Sequence, residues 1–359
     1  MNSITESFKS NPIHDLNNII PLDFKTLNKL PDSHKWTDHP IANSFTVGSV
    51  PIINLSDPDA ISLIRHACEK WGVFQVTNHG IPLNLLKQVE LQTLRLFSLP
   101  VDQKLSALRS PDGITGYGQP RISTFFPKLM WSEGFSMMGS PIEHATKLWP
   151  HQQDHQANFC NIMEEYQKEM KKESEKIFKL MVESLGGTLD EVEWLKPTMS
   201  CKDPQTLLQL NSYPVCTDSD FGCAMGFAPH TDSSFLRVLY QSTTTMALQI
   251  FRDNIGWMPV HPISGALVVN VGDLMHILSN GQFNSVLHRV LVNNTHPRVS
   301  AAYFYGPPRD VKISPLINLI DHDHPPLFCP VSWKELLDAK AKHFNKGLEL
   351  FRNDIVTAK

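Results

Sequence analysis

Apolar positions recur along this chain with two periods, and the change from one to the other falls near residue 205. Before that point the three-to-four spacing of helices dominates. Residues 57–70 predict a helix with Ile61, Ile64 and Cys68 on one face, and Pro82 opens a second, striped by Leu86, Val89, Leu94 and Phe97. The strongest stripe runs over 157–185. There Ile162, Met163, Tyr166, Met170, Ile177, Met181 and Leu185 recur, and Gly186-Gly187 ends the helix. Two β-type runs, VPIINL at 50–55 and WGVFQVTNHG at 71–80, lie among these helices. Residues 1–48 read as an irregular lead-in punctuated by Pro12, Pro21, Pro31 and Pro40. Residues 110–142, rich in Gly and Pro, read as loop.

After 205 the texture becomes short strands: TLLQLNSY, SFLRVLYQ, ALQIF, ALVVNVG, VLHRVLV and VSAAYFY, separated by Gly, Pro, Asn and Asp turns. That spacing predicts a sandwich, jelly roll or barrel. Residues 332–352 return to helix. The expected organisation is a lead-in at 1–48, an α/β N-terminal domain at 49–200, a β-core at 201–315, and a C-terminal loop and helix at 316–359.

Composition narrows the partners. The chain has 359 residues, 41 % of them hydrophobic and 19 % charged, which is globular rather than disordered. Its formal charge of −4 offers no basic field for a nucleic-acid backbone. The six cysteines are scattered without a CxxC pair, so reduced thiols are expected. Met1–Ser10 is polar and no run of about 18 apolar residues occurs, so neither a secretory signal nor a membrane span is expected. The expected compartment is cytoplasmic, and the default assembly is a monomer.

The chemistry begins at His230-Thr231-Asp232. In extended backbone, residues two apart share a face, so His230 and Asp232 can grip one ion. His288, mid-strand in SVLHRVLV, is the best third ligand. Two histidines and one carboxylate leave coordination positions open, as in the facial triad of non-haem Fe(II) oxygenases. Arg298 and Ser300 are again two apart on a strand. A guanidinium with a hydroxyl suits a carboxylate, and Tyr213 in LNSYP offers a phenolic donor. A dicarboxylate that chelates the iron at one end and meets Arg298 at the other accounts for all of these, and 2-oxoglutarate fits. His79, His276 and the DHDH run at 321–324 read instead as packing, capping and exposed loop.

The run H-x-D, then H, then R-x-S, with NSYP before it and NVGDLMHILSNGQFNSVLHRV within it, resembles the plant branch of the 2-oxoglutarate/Fe(II)-dependent dioxygenases. The resemblance implies a mainly β fold with flanking helices. Its core would be a distorted double-stranded β-helix (jelly-roll, cupin-like), with a helical N-terminal domain and a C-terminal helix. It implies Fe(II), 2-oxoglutarate and O2 in the reaction, with ascorbate as reductant. A narrower likeness is to gibberellin 3-beta-dioxygenases. GYGQPRISTFFPKLMWSEGFSMMGSP at 116–141, AMGFAPHTDSSFLRVLYQ and KAKHFNKGLELFR carry it. Ser233 stands where the sister 2-oxidases tend to have Pro. Arg237 stands where this family has a small polar residue. The implied substrate is a diterpenoid acid, hydroxylated at the 3β position. Arg121, Phe125 and Trp131 are the candidate substrate residues, with Arg121 ahead of Lys128 and Arg237 for its carboxylate. By strand parity Arg237 should point away from the iron and serve as a scaffold contact, unless a bulge re-aims it. The alternatives are another gibberellin position, a flavonoid or alkaloid substrate, or a jelly-roll binding protein without turnover.

Overall fold

A computed structural model describes residues 3–27, 29–36, 49–188, 204–217, 221–242 and 246–353. The chain opens with α1 (Ser3–Ser10), then β1 (Ile52–Asn54), α2 (Ala60–Lys70), β2 (Val73–Thr77), α3 (Leu83–Ser98) and α4 (Val101–Leu105). Next come β3 (Gly116–Gly118), β4 (Glu133–Met137), α5 (Ile142–Leu148) and the long α6 (Gln153–Ser184). The second half runs β5 (Gln205–Tyr213), β6 (Met225–His230), β7 (Leu236–Gln241), β8 (Leu248–Arg252), β9 (Gly256–Pro259), β10 (Leu267–Val271) and α7 (Asp273–Leu278). It ends with β11 (His288–Leu291), β12 (Arg298–Gly306), β13 (Lys312–Ile313), β14 (Val331–Ser332) and α8 (Trp333–His343).

Two sheets face each other. The large one has strand order β1-β2-β10-β7-β12-β5-β4-β3, and the small one β6-β11-β8-β9. Alternation along the large sheet sorts its residues. On β7, Leu236, Val238 and Tyr240 join the core formed with α2, α3 and α6, while Leu239 joins the core between the sheets. On β12, Ala301, Tyr303 and Tyr305 take the helical side and Ala302 the inter-sheet side. Both faces are covered, which is why β7 and β10 are buried at every position. This is the expected jelly-roll core with flanking helices. Strands from before and after residue 200 share the large sheet; the expected boundary itself lies outside the described residues.

Three segments differ from expectation. The Gly- and Pro-rich stretch 110–142 is not loop throughout, because β3 and β4 extend the large sheet beyond β5. Some of its glycines serve tight approach rather than irregularity. Gly116 has φ +112, and a Cβ there would lie 2.6 Å from the Ala107 carbonyl oxygen. β6 was not apparent as a strand, since Gly226 and Pro229 interrupt its apolar run. It is an edge strand of the small sheet, where proline is tolerated. The lead-in contains α1, held against α8 through Ser7 and Asn11, both of which donate to Asp338 Oδ1. Pro40, and much of the lead-in after Trp36, lies outside the described residues, as does Cys201. The other five cysteines are free thiols. No helix among the described residues is long and apolar enough to cross a membrane.

Candidate functional site

His230 closes β6 and His288 opens β11, and the two are register partners across the small sheet. Their ring centroids lie 4.2 Å apart. Asp232 follows on the turn leaving β6, with Oδ1 3.6 Å from His230 Nε2 and Oδ2 3.7 Å from His288 Nε2. That turn is clamped from below: Asp273 N–H donates to the Asp232 carbonyl and Gly272 N–H to the Phe235 carbonyl. A Cβ on Gly272 would meet the Ser234 carbonyl oxygen at 2.0 Å, so the close approach needs glycine. From above, Lys340 of α8 donates to the Thr231 carbonyl and hydroxyl and pairs with Asp273.

The three side chains suit a divalent metal. His230 Nδ1 contacts the Ala228 carbonyl at 2.9 Å and His288 Nδ1 the Val286 carbonyl at 3.1 Å. A carbonyl only accepts, so each Nδ1 carries the proton and each Nε2 presents a lone pair. Burial favours the neutral rings: the His230 pKa falls to about 4 and that of His288 falls well below its ordinary value. His288 Nε2 and Asp232 Oδ2 are buried without hydrogen-bond partners. A metal ion would satisfy both orphaned atoms. Among the described residues this is the one grouping of three or more such side chains that closes within 4.8 Å.

A small cavity runs inward from the metal-binding atoms, bordered by Asn211, Tyr213, Arg237, His288, Ser300 and other side chains. Arg298 is not among the bordering residues; it pairs in register with Tyr213 and precedes Ser300 by two positions on β12, and both of those border the cavity. Arg298 is 1 % exposed; its Nη2 and Nε donate to Gln241 Oε1, and its guanidinium lies 4.9 Å from the Tyr213 ring centre. Its Nη1 is buried without a partner. A buried cation with a free N–H is a receptor for an anion.

A second, larger cavity of about 700 Å3 opens on the other side of His230 and Asp232. Its walls are mostly apolar, with Phe8, Ile122, Phe125, Phe227 and Phe344 among them. Phe125 stacks on Phe344 with centroids 4.8 Å apart. Three cations line it: Lys340, already paired with Asp273, and two arginines. Arg121 stacks on Phe8, and its two amino groups donate to the Gly113 and Asn11 carbonyls, so it binds the wall together. Arg109 is 5 % exposed, donates through Nη2 to the Gln119 carbonyl, and keeps a buried Nε without partner. Burial, reinforced by Arg121, lowers its pKa to about 9. Arg109 was not singled out in the sequence, where its position in ALRSPDG carries no signal beyond charge. Trp131 does not line this cavity. It packs edge-on against Phe24 and donates to the Pro214 carbonyl. Arg237 also departs from expectation. The irregular turn 231–235 resets strand parity, and Arg237 Nε lies 3.2 Å from Asp232 Oδ2. His79 and His276 bond to the Gly265 and Phe283 carbonyls, and the 321–324 run is exposed.

The comparisons with known proteins agree with this geometry. The model of the 2OG-Fe(II) oxygenase superfamily matches residues 204–307, and that of the non-haem dioxygenase N-terminal region in morphine synthesis matches 50–159. Gibberellin 3-beta-dioxygenase 3 of Arabidopsis thaliana is 52 % identical, with 98 % of this chain and all of that protein covered. Gibberellin 3-beta-dioxygenase 1 of Pisum sativum is 49 % identical, covering 98 % and 94 %. Among solved structures, JOX2 in complex with 2OG, Fe and JA superposes with a TM-score of 0.76 at 28 % identity, over 91 % of this chain and 95 % of that one.

Proposed function

The chain belongs to the 2OG-Fe(II) oxygenase superfamily and, within it, to the gibberellin 3-beta-dioxygenases, and from that membership we propose how its residues divide the work of 3β-hydroxylating a gibberellin. His230, Asp232 and His288 hold Fe(II). Arg298, Ser300 and Tyr213 receive the far carboxylate of 2-oxoglutarate in the small cavity. The large cavity takes the substrate, with Phe125 in its wall. Iron and 2-oxoglutarate together supply the oxidising power that inserts one oxygen atom of O2 into a C–H bond, with release of succinate and CO2; ascorbate serves as reductant.

The observation that carries this reading is the placement of the metal-binding atoms on the wall between the two cavities. His230 borders both, so a cosubstrate on one side and a substrate on the other meet at one point. The protein contributes orientation. The Nδ1–carbonyl bonds fix the imidazole rings, Arg298 fixes the cosubstrate, and the aromatic wall fixes a rigid tetracycle while excluding water.

A gibberellin is an acid, and its carboxylate is costly to bury without a partner. Arg109 is the favoured receiver, because its Nε is free while the amino groups of Arg121 are already engaged. The wall of Arg121 and Phe125 then shapes the pocket around it. The matched segments support a division near 200 into an N-terminal unit and an oxygenase core. The charge of −4 supports a reading without nucleic-acid partners; the reading itself is of a monomeric cytoplasmic enzyme.

The test is product analysis with several gibberellins and their methyl esters, in the wild type and in Arg109→Gln. The acid should be converted to its 3β-hydroxy product and the ester poorly converted, with that preference mostly lost in the variant. Equal turnover of acid and ester would remove the carboxylate argument. Hydroxylation at another position would overturn the regiochemistry.

A further inference from the structure

Arg237 borders the small cavity, yet nothing above gives it a task. It is 7 % exposed, and its Nε forms an ion pair with Asp232 Oδ2 at 3.2 Å that lacks the alignment of a hydrogen bond. It borders that cavity together with His230 and His288 at the metal end and with Tyr213 and Ser300. The other nearby cations are engaged elsewhere. Lys340 is held by Asp273 and Thr231, and Arg289, which donates to Gln249 and lies over the face of Trp257, does not border the cavity. One buried carboxylate, Asp232, therefore stands against two buried guanidiniums, each with a nitrogen that has no hydrogen-bond partner. Binding a divalent metal adds to that positive excess. A dianion offsets more of that excess than a monoanion, with one carboxylate for each guanidinium.

We propose that Arg237 is a second cosubstrate-binding cation, receiving the metal-side carboxylate of a dicarboxylate while Arg298 takes the far one. The inference rests on the reading of the small cavity as the 2-oxoglutarate site and deepens it. Two consequences set it apart from a merely structural Arg237. First, 2-oxoglutarate and succinate bind the metal-free protein, because both of their carboxylates find cations there. Succinate, the product, is consequently held as well as the cosubstrate. Second, Arg237 repels the metal dication when the cavity holds no anion. Metal and 2-oxoglutarate then assist each other's binding, and reciprocally so.

The experiment measures binding rather than turnover. Calorimetry gives 2-oxoglutarate and succinate affinity for metal-free protein, and equilibrium dialysis gives Co(II) affinity without and with 2-oxoglutarate. The variants are Arg237→Gln, Arg237→Lys and Arg298→Ala. Loss of the Arg237 charge should weaken both dicarboxylates by about tenfold or more, by analogy with removing one member of a buried charge pair. The same variant should bind Co(II) more tightly than wild type when no dicarboxylate is present. Arg237→Lys, which keeps the charge, should stay near wild type on both measures. Unchanged dicarboxylate affinity in Arg237→Gln, or weaker Co(II) binding, would overturn the proposal and leave Arg237 as a prop for Asp232. Undetectable succinate binding to metal-free wild type would overturn it without any variant. If Arg298→Ala also leaves 2-oxoglutarate affinity intact, the cavity assignment itself falls; if Arg298→Ala weakens it and Arg237→Gln does not, the role of Arg237 alone is refuted.

Discussion

Asp232 concentrates several demands on one side chain. It faces His230 with one oxygen and His288 and Arg237 with the other, and it is almost fully buried. Replacing it with Ala removes one of three donors and the ligand charge, so Fe(II) stoichiometry should fall towards zero and turnover should vanish. His322→Ala and His324→Ala should leave metal content unchanged, since those rings are exposed and contact only their own loop. At Arg298, truncation to Ala should cost about 2–5 kcal/mol of 2-oxoglutarate binding, as for other buried charge pairs. Arg298→Lys should recover only part of it, because Lys lacks the planar fork that also reaches Gln241. Calorimetric titration separates the two variants. The residues named here were legible in the sequence because their spacing encodes them. R-x-S places two side chains on one face of β12, whereas in H-x-D the first residue closes β6 and Asp232 lies on the turn after it, close enough in sequence for both to meet His288. Arg237 was misjudged for the converse reason. Parity holds only within an unbroken strand, and 231–235 is not one. Arg109 and Trp131 show a further limit. Whether a loop residue faces a cavity or a neighbouring aromatic depends on contacts distant in sequence.

Among the elements, the turn from β6 to β7 and the start of α7 are the tightest fit in the site. Gly272 admits the Ser234 carbonyl at a distance no Cβ would allow. Gly272→Ala must push backbone against backbone, so a loss of about 1–3 kcal/mol is expected, the usual cost of overpacking, with weaker metal binding as Asp232 shifts. Thermal unfolding and Co(II) titration of the same preparation check both; an unchanged melting temperature would contradict the close approach. Long helices were legible at this scale because apolar residues repeat over many turns, as in α6. The expected stripe at 157–185 became Gln153–Ser184. Short strands such as β3 and β6 escaped because three to six residues with glycine or proline carry too little periodicity. Their identity comes from the strands they pair with.

Across the whole molecule, buried neutral histidines tie stability to pH. The His34 pKa is lowered by burial to about 4, and that of His230 likewise. In the unfolded chain both titrate near 6.5. As pH falls below that value the unfolded state binds protons that the folded state refuses, so stability drops with falling pH. Each histidine should cost the metal-free protein about 2 kcal/mol between pH 7 and pH 5. Urea midpoints at the two pH values measure this, and equal midpoints would refute it. The jelly-roll core was legible from the strand texture after 205. The joining of strands from both halves into one sheet was not, since pairing between β2 and β10, or β4 and β5, leaves no mark in either segment alone.

The large cavity takes its walls from segments far apart in the chain. Phe8 belongs to α1 and Asn11 follows it, whereas Lys340 and Phe344 belong to α8 and the turn after it. Ser7 and Asp338, 331 residues apart, are joined by a hydrogen bond. On the ribosome, therefore, the parts mature in a fixed order. Every proposed iron and cosubstrate residue, from Tyr213 to Ser300, has been made before α8 exists. A nascent chain can hold all of its metal-binding residues while the Lys340 clamp on their turn and one wall of the chamber in front are still missing. Hormone recognition is the last competence such a chain acquires, and it arrives when its earliest and latest described helices meet.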